Sequence, residues 1–349
     1  MNKVIIDPFL IRQFGDTEDC IFCLVTNPEL EDCFEIKRSG KYRDYFKIIY
    51  TETDNFENIL DTQIPNKSHV LVISPNVFFR SPPPSKIGLG RKLVAMACNS
   101  TPTNLETISH FLSIIEQTEP VEQQKMANTF FELARHTSYL QFVDSTHHTY
   151  AEFKHRSDNY LWNEQAGMLA WGEQTIVPSG EISVLPLAIQ YFDERLRLVI
   201  NGSLAIQGYP ILHNGTSSFL RSDQERIYNA LKAIQKATLI VNVEDGIITR
   251  LNSSSPEAEP ACAILSAMFE IDSRYRTIWE VGFAINTKHS LYPNNCAMNE
   301  VHGGTGGMIH FGLGLTPYTQ YHLDIICPNT QVLGSNGECI IGEKSLLTA

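Results

Sequence analysis

The sequence predicts an α/β protein of the α+β type, with an N-terminal α/β domain followed by a mixed, hairpin-rich β domain that also contains helices. Short β-rich runs and helical patterns alternate in the first half, and hairpin patterns dominate the second half. A chain of 349 residues is long for one hydrophobic core. We therefore expect two domains, at residues 1–150 and 151–349.

The first half contains apolar runs of strand length and two helical patterns. The strands are predicted at IFCLVT (21–26), YFKIIYT (45–51) and HVLVIS (69–74). Apolar residues recur at three- and four-residue spacing over 104–117 and 121–140, which predicts helices. Cys20 and Cys23 form a C-x-x-C pair, but their apolar neighbours favour a buried strand over a redox or zinc site.

The second half reads as hairpins separated by helices. One hairpin is predicted from RLRLVING (195–202) and SLAIQGYPIL (203–212), turning at Asn201-Gly202. Another is predicted over 239–251, turning at Asp245-Gly246. Between them, a helix is predicted over 224–236.

Composition excludes several classes of partner. The net charge is −12, from 27 basic and 39 acidic residues, which argues against binding to nucleic acid or to an anionic membrane. No apolar run has the length of a membrane span, and the N-terminus does not read as a signal peptide. The eight scattered cysteines are typical of free thiols. These features predict a cytoplasmic protein.

A metal site is predicted near the C-terminus. The stretch MIHFGLGLTPYTQYHLD contains three strong ligand candidates, His310, His322 and Asp324. On a β-strand the side chains at i and i+2 point to the same face, so His322 and Asp324 would project together. An imidazole beside a carboxylate suits Zn²⁺, Mn²⁺ or Fe²⁺.

Three glutamates extend this site. Glu181 begins the run EISVLP, Glu280 lies within the apolar strand TIWEVGFAIN, and Glu300 precedes a glycine-rich turn. A carboxylate in an apolar strand is costly unless it is paired or bound to a metal. Five ligands are enough for a two-metal site and are supplied by Glu181, Glu280, His310, His322 and Asp324. A mononuclear Fe(II) site would need only His310, His322 and Asp324.

This order of motifs resembles the thermophilic metallo-aminopeptidases of the aminopeptidase T type and the related 2,5-dihydroxypyridine dioxygenases. The resemblance covers residues 160–349, through PSGEISVLP, RLRLVINGSLAIQG, VEDGIITRL, WEVGFAIN, GMIHFGLG and YHLDIICPNTQVLGSNGECII. It implies that Glu181, Glu280, His310, His322 and Asp324 are metal ligands and that Glu300 is the general base. It also implies a homodimer and two ions of Zn, Mn or Co.

The sequence departs from that pattern at one position. The aminopeptidases carry a tyrosine in the ligand sphere seven residues after the first histidine, whereas this chain has Pro317 there and Tyr318 one step later. We predict that Tyr318 takes the catalytic place of that phenol.

Three functions remain open on this basis. The first is a metal-dependent hydrolase that cleaves a peptide or related amide with a metal-activated water, as a general enzyme or as a tailoring enzyme in a biosynthetic route. The second is a ring-cleaving dioxygenase with mononuclear non-haem iron. The third is a metal-binding scaffold without turnover. The five ligand-type residues argue against the scaffold, and the two glutamates among them, Glu181 and Glu280, favour the hydrolase over the dioxygenase.

Overall fold

The computed structural model describes residues 3–187, 189, 193 and 195–342. The β-strands are β1 Val4–Ile6, β2 Ile21–Thr26, β3 Phe34–Ile36, β4 Asp44–Ile49, β5 Ser68–Ile73, β6 Arg91–Met96, β7 Leu140–Asp144, β8 Thr149–Phe153, β9 Tyr160–Gln165, β10 Gln174–Val177, β11 Glu181–Pro186, β12 Ile200–Ile206, β13 Tyr209–Asn214, β14 Leu239–Glu244, β15 Ile247–Ser253, β16 Ile278–Ala284, β17 Met308–Leu313, β18 Tyr321–Cys327, β19 Gln331–Gly334 and β20 Cys339–Ile341. The α-helices are α1 Phe56–Thr62, α2 Pro84–Ile87, α3 Leu105–Gln117, α4 Pro120–Arg135, α5 Arg221–Leu231 and α6 Glu259–Ile271. This mixture confirms the predicted α+β class.

The chain forms two compact units that interleave along the sequence. The first unit contains residues 1–124, 165–179 and 288–298, and the second contains 125–164, 180–287 and 299–349. The sequence predicts a single boundary at residue 150 instead. The difference arises because the β7–β8 hairpin pairs with β19 and β12, which assigns residues 140–153 to a sheet of the second unit.

The first unit is built on a parallel five-stranded sheet, with strand order β10-β6-β5-β2-β4. All residues of β2 and β5 are buried, as expected for parallel strands covered on both faces. Alternate side chains of β2 enter different clusters. Phe22 packs in the cluster that contains Phe111 of α3, and Val25 in the cluster that contains Leu60 of α1.

The C-x-x-C pair is divided between these two clusters. Cys20 lies in the cluster of α3, and Cys23 in the cluster of α1. Burial raises the pKa of the Cys23 thiol to about 12. Both cysteines are therefore packing residues, as their apolar neighbours predict.

The second unit contains two antiparallel sheets. The six-stranded sheet has the order β13-β18-β17-β16-β11-β9, and the seven-stranded sheet has the order β15-β14-β12-β8-β7-β19-β20. One face of the six-stranded sheet packs against the seven-stranded sheet, where Phe311 of β17 meets Phe142 of β7 with 5.4 Å between ring centroids. The other face of the six-stranded sheet carries the polar residues described below.

Of the two predicted hairpins, one is present and one is not. β14 pairs with β15 and turns at Asp245-Gly246, as predicted. β12 instead runs straight through Asn201-Gly202 and pairs with β8 and β14, while β13 pairs with β18. At Gly202 a Cβ would overlap the carbonyl oxygen of Tyr150, so this glycine permits a close approach of β8 and does not make a turn.

The predicted helices are found with shifted ends. α3 begins after Asn104, whose side chain accepts a hydrogen bond from the amide of Thr107. α4 ends at Arg135 and not near residue 140, because β7 begins at Leu140. α5 covers 221–231, where the sequence predicts 224–236. Among the described residues, no helix has both the length and the apolar character that crossing a membrane requires.

A buried histidine in the first unit gives a prediction about stability. His69 of β5 stacks on Phe14 at 4.6 Å, and its Nδ1 lies 2.8 Å from the Tyr42 hydroxyl. Burial, with a smaller effect of the Lys92 charge, lowers the pKa of His69 from 6.5 to about 3. The neutral ring is favoured in the folded state, so its contribution is complete above pH 6.5 and is lost as the pH falls toward 3.

We therefore predict that His69→Gln flattens the pH dependence of folding. Urea unfolding of the unmodified chain from roughly pH 7 to pH 4 should include a loss of up to about 1.4 kcal/mol per pH unit that the variant lacks. The variant should be less stable at neutral pH because the ring contacts are lost. Equal slopes in the two proteins would contradict this account of His69.

Candidate metal centre

Five neighbouring strands place polar residues on one face of the six-stranded sheet. In antiparallel strands, directly paired residues share a face, and so do residues two apart on one strand. Glu280 pairs with Gly312, which pairs with Asp324, and Gly282 pairs with His310. The structure therefore brings together the five ligand candidates from the sequence, which are Glu181 of β11, Glu280 of β16, His310 of β17, and His322 and Asp324 of β18.

The structure adds a residue that is not among the predicted ligands, His213 of β13. It pairs directly with His322, and the two imidazoles stack with 5.2 Å between ring centroids. The Nε2 atoms of both histidines lie 2.9 Å from Oδ2 of Asp324. The available sequence signal is an imidazole directly after the apolar run Ile211-Leu212. The erroneous hairpin at Gly202 concealed it, because that hairpin ends at Leu212 and separates β13 from β18.

The donor atoms form three overlapping groups. In each group one ligand atom per residue lies within 4.8 Å of the others. The groups are His213 with His322 and Asp324, Glu181 with Glu280 and His310, and Glu300 with His310 and Asp324. The first two share no residue, and the third joins them. The set of His310, His322 and Asp324 considered for a single iron does not form one of these groups, and His213 takes the place of His310.

The carboxylates of this face are crowded and shielded from water. Asp324 is fully buried, and Glu181 and Glu280 are nearly so. Burial, together with the charges of Glu280 and Asp324, raises the pKa of Glu181 well above its usual value. Burial and the Asp324 charge raise the pKa of Glu280 to about 7. A bound divalent cation would oppose both effects by supplying positive charge where water is absent.

Asp324 is the exception among these acids. Burial alone would raise its pKa, but the facing imidazoles of His322, His213 and His310 outweigh burial and lower it. The same attraction raises the pKa of His322 to about 9, against the effect of burial. Asp324 is thus the carboxylate that stays ionised most readily, at the centre of the group.

Two histidines test whether the donor set fits a metal. The Nδ1 atom of His322 lies 3.1 Å from the Leu313 carbonyl oxygen, to which it can donate a hydrogen bond. Once the Nε2 proton is lost, a ring held in this way would present the Nε2 lone pair to a metal ion, as metal-binding histidines do. His310 is fully buried, and neither of its ring nitrogens hydrogen-bonds to any residue that the structure describes. These residues fit a metal ligand set.

Two glycines make room for the donors. A Cβ at Gly282 would overlap Cε1 and Nε2 of His310, which lies across the sheet from it. A Cβ at Gly312 would lie 2.7 Å from Cβ of Glu280 and 3.1 Å from Oδ1 of Asp324. The imidazole and the carboxylates therefore occupy space above bare backbone.

The two predicted catalytic residues have different surroundings. The Glu300 carboxylate is 23% exposed, and its oxygens lie 3.9 Å from Nε2 of His310 and Nε2 of His213. Tyr318 is 56% exposed, and its ring lies 5.2 Å from the Arg274 guanidinium carbon. Glu300 thus borders the buried donors, whereas Tyr318 lies at the surface. A catalytic role for Tyr318 stays a prediction.

Fold and site together define an α+β protein with a buried carboxylate–imidazole centre on an antiparallel sheet. The structure is similar to that of 2,5-dihydroxypyridine dioxygenase from Pseudomonas putida, with a TM-score of 0.54 and 13% identity over 95% of each chain. At this identity the likeness establishes a shared fold. AmpT from Thermus thermophilus also matches over 95% of each chain, with a TM-score of 0.43 and 12% identity. The fold of the first neighbour fits the resemblance seen in the sequence.

The sequence itself gives no further match. It matches no protein-family model and no curated protein sequence.

The bare backbone beneath His310 gives a testable prediction. Gly282→Ala should displace the imidazole and weaken Zn²⁺ binding by at least about tenfold. Loss of a residue that orients a metal ligand lowers metal affinity by about this factor, and a displaced ligand should lower it as much. The affinity is measured by competition with a chromophoric chelator.

A double-variant cycle supplies the control. In a His310→Ala background the added methyl group meets no ring, so Gly282→Ala should cause little further loss of affinity or of thermal stability. Equal losses in both backgrounds would show that Gly282 acts independently of His310.

Proposed function

We propose that the protein is a metal-dependent hydrolase that holds two divalent cations and cleaves a peptide or a related amide. The observation that carries this proposal is the pair of three-donor groups that share no residue. A two-metal site needs two such donor sets placed side by side, with a carboxylate near both. The resemblance of the sequence motifs to aminopeptidases of the T type supports an amide substrate.

The donor chemistry supports ions of Zn, Mn or Co. His213, His322 and Asp324 would hold one ion, and Glu181, Glu280 and His310 would hold the other. Mixed imidazole and carboxylate sets suit these metals. When bound, the metal pair lowers the pKa of a water and polarises the scissile carbonyl.

Glu300 is suited to move the proton. It is the most exposed of the clustered carboxylates, and it lies between the two donor sets through His310 and His213. Burial and the charges of Glu181 and Asp324 raise its pKa well above the usual value, which makes its ionised form a stronger base. In the proposed reaction Glu300 accepts the proton of the attacking water and returns it to the leaving amine.

The decisive measurement is metal content. Protein stripped with a chelator and reconstituted should bind close to two equivalents of Zn, Mn or Co, because it offers two donor sets. Glu280→Gln should retain one equivalent and lose amide hydrolysis, while circular dichroism and the thermal midpoint show that the fold is kept. The matched control is Glu244→Gln, which changes an exposed carboxylate on β14.

Two outcomes would contradict this proposal. If Glu280→Gln binds as much metal as the unmodified chain, Glu280 is not a ligand. If no metal binds after reconstitution, a non-catalytic scaffold is supported instead.

A second candidate is a mononuclear non-haem iron dioxygenase. It is favoured by the group of His213, His322 and Asp324, because two imidazoles and one carboxylate are the usual ligands of such iron. The fold shared with 2,5-dihydroxypyridine dioxygenase agrees with this candidate. In that case Glu181 and Glu280 would surround the iron ligands or the substrate.

His213→Ala separates the two candidates. A one-iron enzyme should lose its metal and its oxygen uptake with 2,5-dihydroxypyridine, since one of three ligands is removed. A two-metal hydrolase should instead keep the ion held by Glu181, Glu280 and His310. His136→Ala, at an exposed position, is the control. One equivalent of iron with oxygen uptake in the unmodified chain would exclude the two-metal hydrolase.

A further inference from the structure

A cavity that is open to the surface lies in the same unit, on the side of the six-stranded sheet away from the metal ligands. It has a volume of about 500 Å³, which is within the size range of small-molecule sites. Its walls come from the end of α4, the segment after β8, and β9. The lining residues are Phe131, Ala134, Arg135, His155, Arg156, Ser157, Asp158 and Trp162.

Two arginines give the cavity its positive charge. Among the residues that the structure describes, neither Arg135 nor Arg156 makes a hydrogen bond or an ion pair through its guanidinium group. A guanidinium group binds carboxylates and phosphates through paired hydrogen bonds, so this wall is suited to an anion.

A buried hydrogen bond brings the two arginines to the same cavity. His155 is 4% exposed, and its Nε2 lies 2.9 Å from the carbonyl oxygen of Ala134, to which it donates. His155 precedes Arg156 and Ala134 precedes Arg135, so this single bond ties the two arginine-bearing segments together. The backbone segments that carry the two arginines are therefore held at the same cavity by the fold.

An aromatic wall completes the cavity. The half-buried indole of Trp162 stacks on Phe283 with an interplanar angle of 16° and meets the ring of Phe131 at 76°. These contacts fix the indole plane from the protein side. A planar ring of a ligand gains favourable contact against such a surface.

Asp158 limits which anions fit. It is the one acidic residue in the lining and would repel a second negative group. A polyanion such as a nucleic-acid strand is therefore disfavoured. A ligand with a single carboxylate and an apolar ring meets the arginines and the indole with the least of this repulsion.

We propose that this cavity binds a small aromatic carboxylate, with the carboxylate between Arg135 and Arg156 and the ring against Trp162. The cavity is separate from the metal centre, because the two lie on opposite faces of the sheet. Phe283 packs against Trp162 on one face, and the neighbouring Gly282 pairs with His310 on the other. The proposal does not depend on which reaction the metal centre performs.

The test uses the full chain and a matched pair of probes, 2-naphthoate and its neutral amide, 2-naphthamide. Isothermal titration should show one site for the carboxylate and binding of the amide weaker by about tenfold or more, as expected for lost charge-assisted hydrogen bonds. Arg135→Gln and Arg156→Gln should each weaken 2-naphthoate binding to a similar extent. Arg250→Gln, at an exposed position on β15, should leave it unchanged.

The controls distinguish this cavity from the metal centre and from unfolding. Thermal midpoints of the arginine variants should equal that of the unmodified chain, since both side chains are exposed. A carboxylate bound at the metal centre would be insensitive to both arginine variants, and that result would overturn the proposal. Absence of binding, or equal affinity for the amide, would overturn it as well.

Discussion

The crowding of four carboxylates, three on a buried sheet face and Glu300 beside it, is the constraint on which the rest of the second unit depends. Glu181, Glu280, Glu300 and Asp324 repel one another where water cannot screen them. Three imidazoles oppose that repulsion, and they act chiefly on Asp324. The remaining charge must be balanced by retained protons or by cations. A chain with this face must therefore either bind cations or hold carboxyl groups whose pKa is well above the usual value.

The alternation of side chains along the strands lets one sheet meet this constraint without losing its core. In β16, Glu280 and Gly282 face the donors, while Val281 and Phe283 lie in the apolar contacts of the opposite face. The polar face can be crowded because the apolar face holds the strands in register. The same alternation places Trp162 and its cavity behind the metal centre.

The sequence predicted the features that depend on neighbouring residues and missed those that depend on strands distant in sequence. The shared face of His322 and Asp324 follows from the two-residue period of a strand, and the buried strand around Glu280 from its apolar neighbours; both are local. His213 was missed because only the pairing of β13 with β18 brings it to the site. Asn201-Gly202 resembles a hairpin turn locally, yet close packing on β8 uses that glycine differently. The boundary at residue 150 differed for the same reason, since strand partners distant in sequence decide the units.

The spread of the donors along the chain has a consequence for how the protein folds. They extend from residue 181 to residue 324 and come from strands that are not successive along the chain. A partly folded chain that lacks any one of these strands has an incomplete ligand set. Ions would therefore bind only after all of these strands have paired. Bound ions would slow unfolding of the sheet more than they would speed its folding. The lifetime of the folded chain would then increase with the fraction of molecules that hold metal.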